Sequence, residues 1–205
     1  MPKKAYQRKD FFYRKAKALG RRSRAYFKIE ELGKRFKLFK TGTQVIDLGC
    51  SPGGWLQYIA QEVGPTGGVI GVDLEGLPPP LPKNASFIKG DIREESTKNR
   101  LLSRIGRRVD LLVSDIAPHL SGIKFQDQYK SYELARQAFG LCHLVLKENG
   151  DFVAKIFPGE ELELFKAELR NAFSKIQVFI PESTRQSSSE VYIVAKGFRN
   201  NRASP

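Results

Sequence analysis

The chain has 205 residues, is 40% hydrophobic, and carries 35 Lys/Arg against 22 Asp/Glu, a formal net charge of +13. That size and apolar fraction suffice for one well-buried core, so a single domain over 1–205 is expected. No run reaches the roughly 18 apolar residues of a membrane span, no signal-peptide core follows the N-terminus, and Cys50 and Cys142 match no disulfide or metal spacing. The expectation is a soluble, cytoplasmic protein, monomeric by default, with no metal and no membrane partner.

The charge is uneven. Residues 1–40 hold 15 of the basic and 3 of the acidic residues, a net of +12, which leaves +1 for residues 41–205. Basic residues there alternate with Tyr6, Phe11, Phe12, Tyr13, Tyr26 and Phe27. Cations for phosphate and rings for stacking are the composition of an RNA-binding surface; a solvated tail or a transit peptide has similar charge. The segment runs unbroken into an apolar-periodic helix, Ser23 to about Phe36, which argues for an arm folded onto the domain.

Lys40-Thr41-Gly42 turns into a first strand, Val45 to Asp47, followed by a glycine loop and a helix from Trp55 to Val63, closed by Gly64-Pro65. A second strand, 68–72, ends at Asp73. The proline-rich stretch 76–82 cannot form a regular helix, so the next strand, 86–90, follows a stiff crossover. A helix over 94–106 and a strand over 109–114 come next. The loop 116–122 leads to a long helix, about 127–146, which Asn149-Gly150 terminates before a strand over 151–157. A helix over 160–173 carries Leu162, Phe165, Leu169 and Phe173 on one face. Strands 176–180 and 191–195 close the chain around a polar loop, 181–189, with Arg185 and a run of three serines at 187–189. Residues 199–205 read as disordered.

The glycine loop organises this pattern. In D-L-G-C-S-P-G-G-W, residues 47–55, an apolar strand stops at Asp47, glycines follow, and a helix restarts. That is the layout of a nucleotide-type cofactor site, though the spacing is not the dinucleotide fingerprint. Gly49, Gly53 and Gly54 permit a tight turn and close approach of a ligand to backbone. Taken alone, the loop is also compatible with a plain βα turn. Four successive strands, however, finish at Asp47, Asp73, Asp91 and Asp115, which at one edge of a parallel sheet would line a crevice. An acid after the second strand is where a cofactor ribose is held. Two other residues stand out. Lys155 lies inside an apolar strand, where a lysine either snorkels to an edge or meets a partner. Glu190 opens the last strand, where an exposed strand end is the ordinary role.

Over nearly its full length the chain resembles the FtsJ/RrmJ family of S-adenosylmethionine-dependent RNA ribose 2′-O-methyltransferases. The glycine loop with its tryptophan at 47–55 carries the likeness, together with Lys28 in S-R-A-Y-F-K, Asp115 in S-D-I-A-P, Lys155 in F-V-A-K-I-F and Glu190 in S-S-E-V-Y. The resemblance implies a Lys-Asp-Lys-Glu catalytic tetrad formed by Lys28, Asp115, Lys155 and Glu190. It implies cofactor contacts at Gly53, Trp55, Asp73, Asp91 and Asp115, beside the Asp47 and Gly49 of the loop itself. The implied fold is a Rossmann-like seven-stranded α/β sheet, mostly parallel with the last strand antiparallel and helices on both faces. The implied substrate is a uridine in the A-loop of large-subunit ribosomal RNA, free or in the assembled subunit.

Methyl transfer to a ribose hydroxyl is an in-line displacement that needs alignment and a proton acceptor but no metal. Lys155 is the expected base or chief orienting group, with Asp115 positioning it and Lys28 and Glu190 tuning it; cationic and anionic neighbours act on its pKa in opposite directions. Transfer to tRNA, or an RNA-binding protein without catalysis, are the alternatives. A nicotinamide enzyme is disfavoured because G-x-G-x-x-G is absent. No residue pattern reads out a base, so substrate selection falls to loops such as 118–128 and 181–189.

Overall fold

The structure, a computed structural model, describes residues 3–184 and 189–199, with side chains from residue 11 onward. The side chain of Tyr6, the loop residues Arg185 to Ser188 and the C-terminal residues 200–205 lie outside the described residues.

Near-continuous apolar runs such as Val45-Ile46 and Leu111-Leu112-Val113 suit strands covered on both faces. They form one seven-stranded sheet: β1 (Gln44–Leu48), β2 (Gly68–Asp73), β3 (Ala85–Lys89), β4 (Val109–Ser114), β5 (Leu146–Ile156), β6 (Phe173–Phe179) and β7 (Val191–Phe198). Their spatial order is β3-β2-β1-β4-β5-β7-β6. The β1–β2, β2–β3, β1–β4 and β4–β5 pairs are parallel. β7 runs antiparallel to both β5 and β6, the expected arrangement.

Alternation along the strands sends side chains to two cores. Val45, Leu111, Val113, Val153 and Val194 face Ile29 and Leu32 of helix α2 (Ala25–Phe36) and Leu56 and Ile59 of α3 (Gly54–Val63). Ile46, Leu112, Phe152 and Ile193 face the opposite way. That second core is covered by α4 (Glu95–Ile105), α5 (Lys124–Val145) and α6 (Glu160–Arg170) through Leu101, Val145 and Phe165. Among the described residues, no helix is long and apolar enough to cross a membrane.

The order reverses at β1: β2 lies on one side and β4 on the other, which opens a crevice beyond their C-terminal ends. The Gly49 N–H donates to Val72 O and the Asp115 N–H to Leu48 O, each at 2.9 Å, so the glycine loop and Asp115 share that edge.

The basic arm begins as a helix, α1 (Lys3–Ala18). It docks through buried Ala16 and through Phe12, whose ring lies 5.5 Å from that of Phe27. Three local features depart from expectation. Tyr26 and Phe27, expected among the RNA-facing rings, are instead buried in the core, leaving Phe11 and Tyr13 exposed. Asn149-Gly150 does not terminate α5. The helix ends at Val145 and β5 starts at once, with Asn149 at φ 61° inside an excursion where the register jumps from Val109↔Leu146 to Leu111↔Asp151. Finally, Phe173 belongs to β6, because α6 stops at Arg170.

At Gly49 both conformation and space exclude a side chain: φ is 74°, and a Cβ would lie 2.8 Å from the Ile116 nitrogen. A left-handed non-glycine residue alone costs roughly 1–2 kcal/mol. Gly49→Ala is therefore expected to lower unfolding free energy by about 2 kcal/mol or more, read from the urea midpoint at unchanged m-value.

Candidate active site

Four separate stretches of chain converge on the C-terminal edge of the sheet. The first is β5, which delivers Lys155, only 7% exposed. A buried ammonium needs acceptors, and Lys155 Nζ has two on one residue: the Asp115 carbonyl at 2.6 Å and Asp115 Oδ1 at 3.1 Å. Asp115 arrives one residue beyond β4. The third stretch is β7, where Tyr192 pairs directly with Lys155 across the antiparallel ladder and so points to the same face. The Tyr192 hydroxyl donates to Asp115 Oδ1 at 2.8 Å. Glu190, two residues earlier and also buried, forms an ion pair with Lys28 of α2, the fourth stretch. The Lys28 ammonium lies 5.9 Å from the Tyr192 ring centroid.

The two ion pairs are thus joined through Tyr192. Burial alone would raise the Asp115 carboxyl, but the Lys155 and Lys28 ammonium groups and the Tyr192 hydroxyl outweigh it and hold the carboxyl below its usual value. The Tyr192 hydroxyl itself is pushed well up, by burial first and then by Asp115 and Glu190, so it stays a proton donor.

Lys28 is held in place by the docking of its helix. Glu31 of α2 accepts from the Glu182 N–H at 2.6 Å and the Ser183 N–H at 3.1 Å. The Arg24 guanidinium donates to Ser183 O, and Lys196 Nζ of β7 donates to Phe36 O at 2.9 Å. Those contacts clamp α2 to both sides of Glu190.

The residues expected to hold a cofactor occupy the adjoining crevice. Gly53 has φ 101°, and a Cβ there would meet the Arg22 side chain at 2.8 Å and Leu77 at 3.3 Å. The left-handed φ favours glycine there, with the Arg22 side chain lying over its backbone. Asp73, at the end of β2, accepts from the Ser51 N–H and the Glu75 N–H at 2.8 Å each, which orients its carboxylate across the loop and leaves acceptor capacity on both oxygens. Asp91 is engaged by Arg93, with Nε at 2.9 and 3.0 Å and Nη2 at 2.5 Å, and this pairing lowers its pKa. Trp55 is buried against Tyr192, ring centroids 5.6 Å apart, and its Nε1 has no hydrogen-bond partner. It sits between the glycine loop and the tetrad. A separate open groove of about 440 Å³ between β3 and α4, lined by Lys89, Arg100 and Arg104 among others, brings none of the expected site residues together.

Asp47 behaves differently from the other strand-end acids. It lies within β1, is fully buried, and neither carboxyl oxygen has a hydrogen-bond partner. Burial, then Asp115 and Asp73, push its pKa well up; the Leu56 amide offsets part of the shift without a hydrogen bond of normal geometry. A carboxyl under the glycine loop with unsatisfied acceptors, beside a Cβ-free cradle and an available carboxylate at Asp73, fits a site for a polar nucleoside ligand.

Comparison with known proteins shows the family. The model for FtsJ-like methyltransferases matches residues 21–198. The chain belongs to the FtsJ-like methyltransferase family. It is 43% identical over 190 residues to a Halorubrum lacusprofundi protein named ribosomal RNA large subunit methyltransferase E, covering 92% of this chain and 71% of that one. A protein of the same name from Desulfatibacillum aliphaticivorans is 44% identical over 186 residues, 91% of this chain and 89% of that one. Among solved structures, a Plasmodium falciparum protein described as a ribosomal RNA methyltransferase superimposes with a TM-score of 0.78 at 26% identity, covering 86% of this chain and 98% of that one. Aeropyrum pernix fibrillarin, solved with natively bound S-adenosyl-L-methionine, shares the fold at a TM-score of 0.54 and 19% identity, over 76% of this chain and 67% of that one. The family match begins at residue 21 and leaves α1 outside it.

In this FtsJ-like chain, Tyr192, Glu31 and Arg22 were not singled out by sequence. Arg22 donates to Pro78 O at 2.5 Å and to Pro80 O, roping the arm to the proline-rich crossover above Gly53. For Tyr192 the signal was alternation, because residues 190 and 192 of one strand share a face. Asp47 carries a pH signature. A carboxyl whose folded pKa lies above its unfolded value takes up a proton on folding, so stability falls as pH rises from about 4 through the folded pKa. Asp47→Asn removes that loss. Without added cofactor, its melting temperature is expected to match wild type near pH 4 and to exceed it increasingly toward pH 7; a constant offset would contradict the assignment.

Proposed function

We propose that this protein methylates a ribose 2′-oxygen in large-subunit ribosomal RNA, at a uridine of the A-loop. The observation that carries the proposal is the convergence of Lys28, Asp115, Lys155 and Glu190, from four distant stretches of chain, beside the glycine-loop crevice. The cofactor is S-adenosylmethionine, in keeping with the methyltransferase family to which the chain belongs. When bound, it supplies a sulfonium methyl group as electrophile and leaves as a neutral thioether. Gly49 and Gly53 would admit it to the backbone, Asp73 would accept from its ribose hydroxyls, Asp91 would contribute at the rim, and Asp47 and Trp55 would shape the floor. Relatives named as large-subunit ribosomal RNA methyltransferases support the substrate class, and the arm's net +12 suits a polyanion.

Lys155 is the residue assigned to the reacting hydroxyl. The Asp115 carbonyl accepts a hydrogen bond from the Lys155 nitrogen, and the Asp115 carboxylate forms an ion pair with it. A position not taken by Asp115 would carry a hydrogen in the ammonium or a lone pair in the amine, and either would engage the ribose oxygen. As the oxygen–carbon bond forms, the hydroxyl proton must leave, and Lys155 is the group placed to orient that hydroxyl or take its proton. Asp115, fixed by Tyr192, aims the lysine; Lys28 and Glu190 hold the second flank.

The test is transfer of labelled methyl from S-adenosylmethionine to unmodified large ribosomal subunits and, separately, to bulk tRNA. Label is expected in ribosomal RNA at an alkali-resistant, 2′-O-methylated linkage. Lys155→Ala is expected to lower the rate by roughly 100-fold or more with cofactor affinity retained. Label on tRNA alone would move the substrate, and full activity in the lysine variant would overturn its role.

A further inference from the structure

That chemistry leaves Leu120, Ile123, Phe125 and Tyr129 without a role, although they are 69%, 45%, 68% and 52% exposed. Scattered exposed apolar residues are ordinary. Here four fall within ten residues, directly after Asp115, and Phe125 and Tyr129 are one turn apart on the same face of α5.

The segment is built, not slack. The Ser121 N–H and hydroxyl both donate to Asp127 Oδ1 at 2.8 Å, and the Gly122 N–H donates to Oδ2 at 3.2 Å. The Ile123 N–H donates to Ser121 Oγ at 3.2 Å. Asp127 is itself buried. The first turns of α5 are then fastened to the end of β5: the Phe157 N–H donates to Ser131 Oγ at 3.0 Å, and the Gln128 amide to Pro158 O. Residues 120–129 therefore lie at the sheet edge that carries Asp115 on one strand and Lys155 on the next.

We propose that residues 120–129 form a stacking platform for unpaired bases of the substrate RNA flanking the methylated ribose. The proposal rests on the RNA methyltransferase function given above. A ribose hydroxyl reaches Lys155 in a crevice only if its nucleotide is splayed from its neighbours, which then expose their ring faces. An apolar and aromatic surface contiguous with the site returns that stacking. Lys124 and Lys130, exposed on the same segment, complement the phosphates on either side. Preordering by Asp127 removes the entropy loss that a loose loop would incur on binding.

The test uses the full chain with unmodified large-subunit ribosomal RNA as the probe. Phe125→Ala combined with Leu120→Ser is expected to raise the KM for RNA about 5- to 100-fold, with kcat and cofactor affinity unchanged. The slope of log affinity against log salt is expected to hold for that variant and to fall by about 1 in Lys124→Ala. Phe125→Trp is expected to keep wild-type KM and to show fluorescence quenching when RNA is added. That last readout needs no methyl transfer, so it judges the platform even if the wild type modifies no RNA, a result that would defeat the functional proposal instead. An unchanged KM in the double variant, or no quenching in Phe125→Trp, would overturn the platform. So would a wild-type dimer that Phe125→Ala dissociates without change in RNA affinity, since the face would then bind a second copy of the chain.

Discussion

A lysine placed inside a β-sheet constrains everything around it. Lys155 is flanked by Ala154 and Ile156, both fully buried, and its own side chain has almost no access to water. An unpaired ammonium there would cost several kcal/mol, so the fold must bring acceptors to it. β4 ends one residue before Asp115, whose carbonyl and carboxylate both meet the lysine. β7 enters antiparallel between β5 and β6, and that insertion sets Tyr192 opposite Lys155. A parallel last strand on the outer edge would leave Asp115 without the Tyr192 hydroxyl. The topology and the polar site are one arrangement seen at two scales.

The second ion pair depends on a different part of the chain. Lys28 belongs to a helix that the β-sheet does not position directly through the polypeptide. Its placement comes from an apolar face, Ile29 and Leu32, and from polar clamps on the 182–183 backbone and on Phe36. Glu31 is central because one carboxylate receives two backbone N–H groups from the segment leading to β7. The arm is also tied to the crossover above the glycine loop by Arg22. The candidate cofactor crevice and the candidate tetrad therefore share one structural border, formed by residues 22–31.

Much of this was legible in the amino-acid order, for identifiable reasons. Strands bounded by Gly or Asp, such as 44–48 and 109–114, announce themselves through β-branched runs that no amphipathic helix would tolerate. The prolines at 78–80 excluded a helix in the crossover. What escaped was tertiary. Tyr26 and Phe27 stand in the same basic context as Phe11 and Tyr13, and only the packing of α2 on α3, through Tyr26 and Tyr58, and of α1 on α2, through Phe12 and Phe27, sends the first two inward. Asn149-Gly150 has the signature of a helix stop, yet the helix had already ended at Val145; the pair serves a register excursion in β5 that no local rule encodes. In the site, each candidate acid could be located by motif or strand end, but the Tyr192–Lys155 register could not, because strand pairing is a non-local choice. The unsatisfied state of Asp47 was equally invisible, since an aspartate at a strand end ordinarily reads as a cap or turn residue.

The distribution of charge and rings bears on how such a site could work. An in-line displacement requires the oxygen to be set to within a fraction of an ångström. Screened lysines and arginines on an arm cannot supply that alone, because attraction between exposed charges is screened and phosphate contacts do not distinguish one nucleotide from the next. Ring contacts are short-ranged and act at the bases themselves. The basic excess sits on residues 1–40, with the exposed rings Phe11 and Tyr13 among it; Phe125 and Tyr129 lie instead on a segment ordered by Asp127 and fastened to the end of β5, the strand that carries Lys155. For the proposed substrate, a polyanion with a single reactive hydroxyl, long-range attraction from the arm and positional contact beside the site would serve different ends: interactions made equally before and during the reaction strengthen binding without speeding the chemical step.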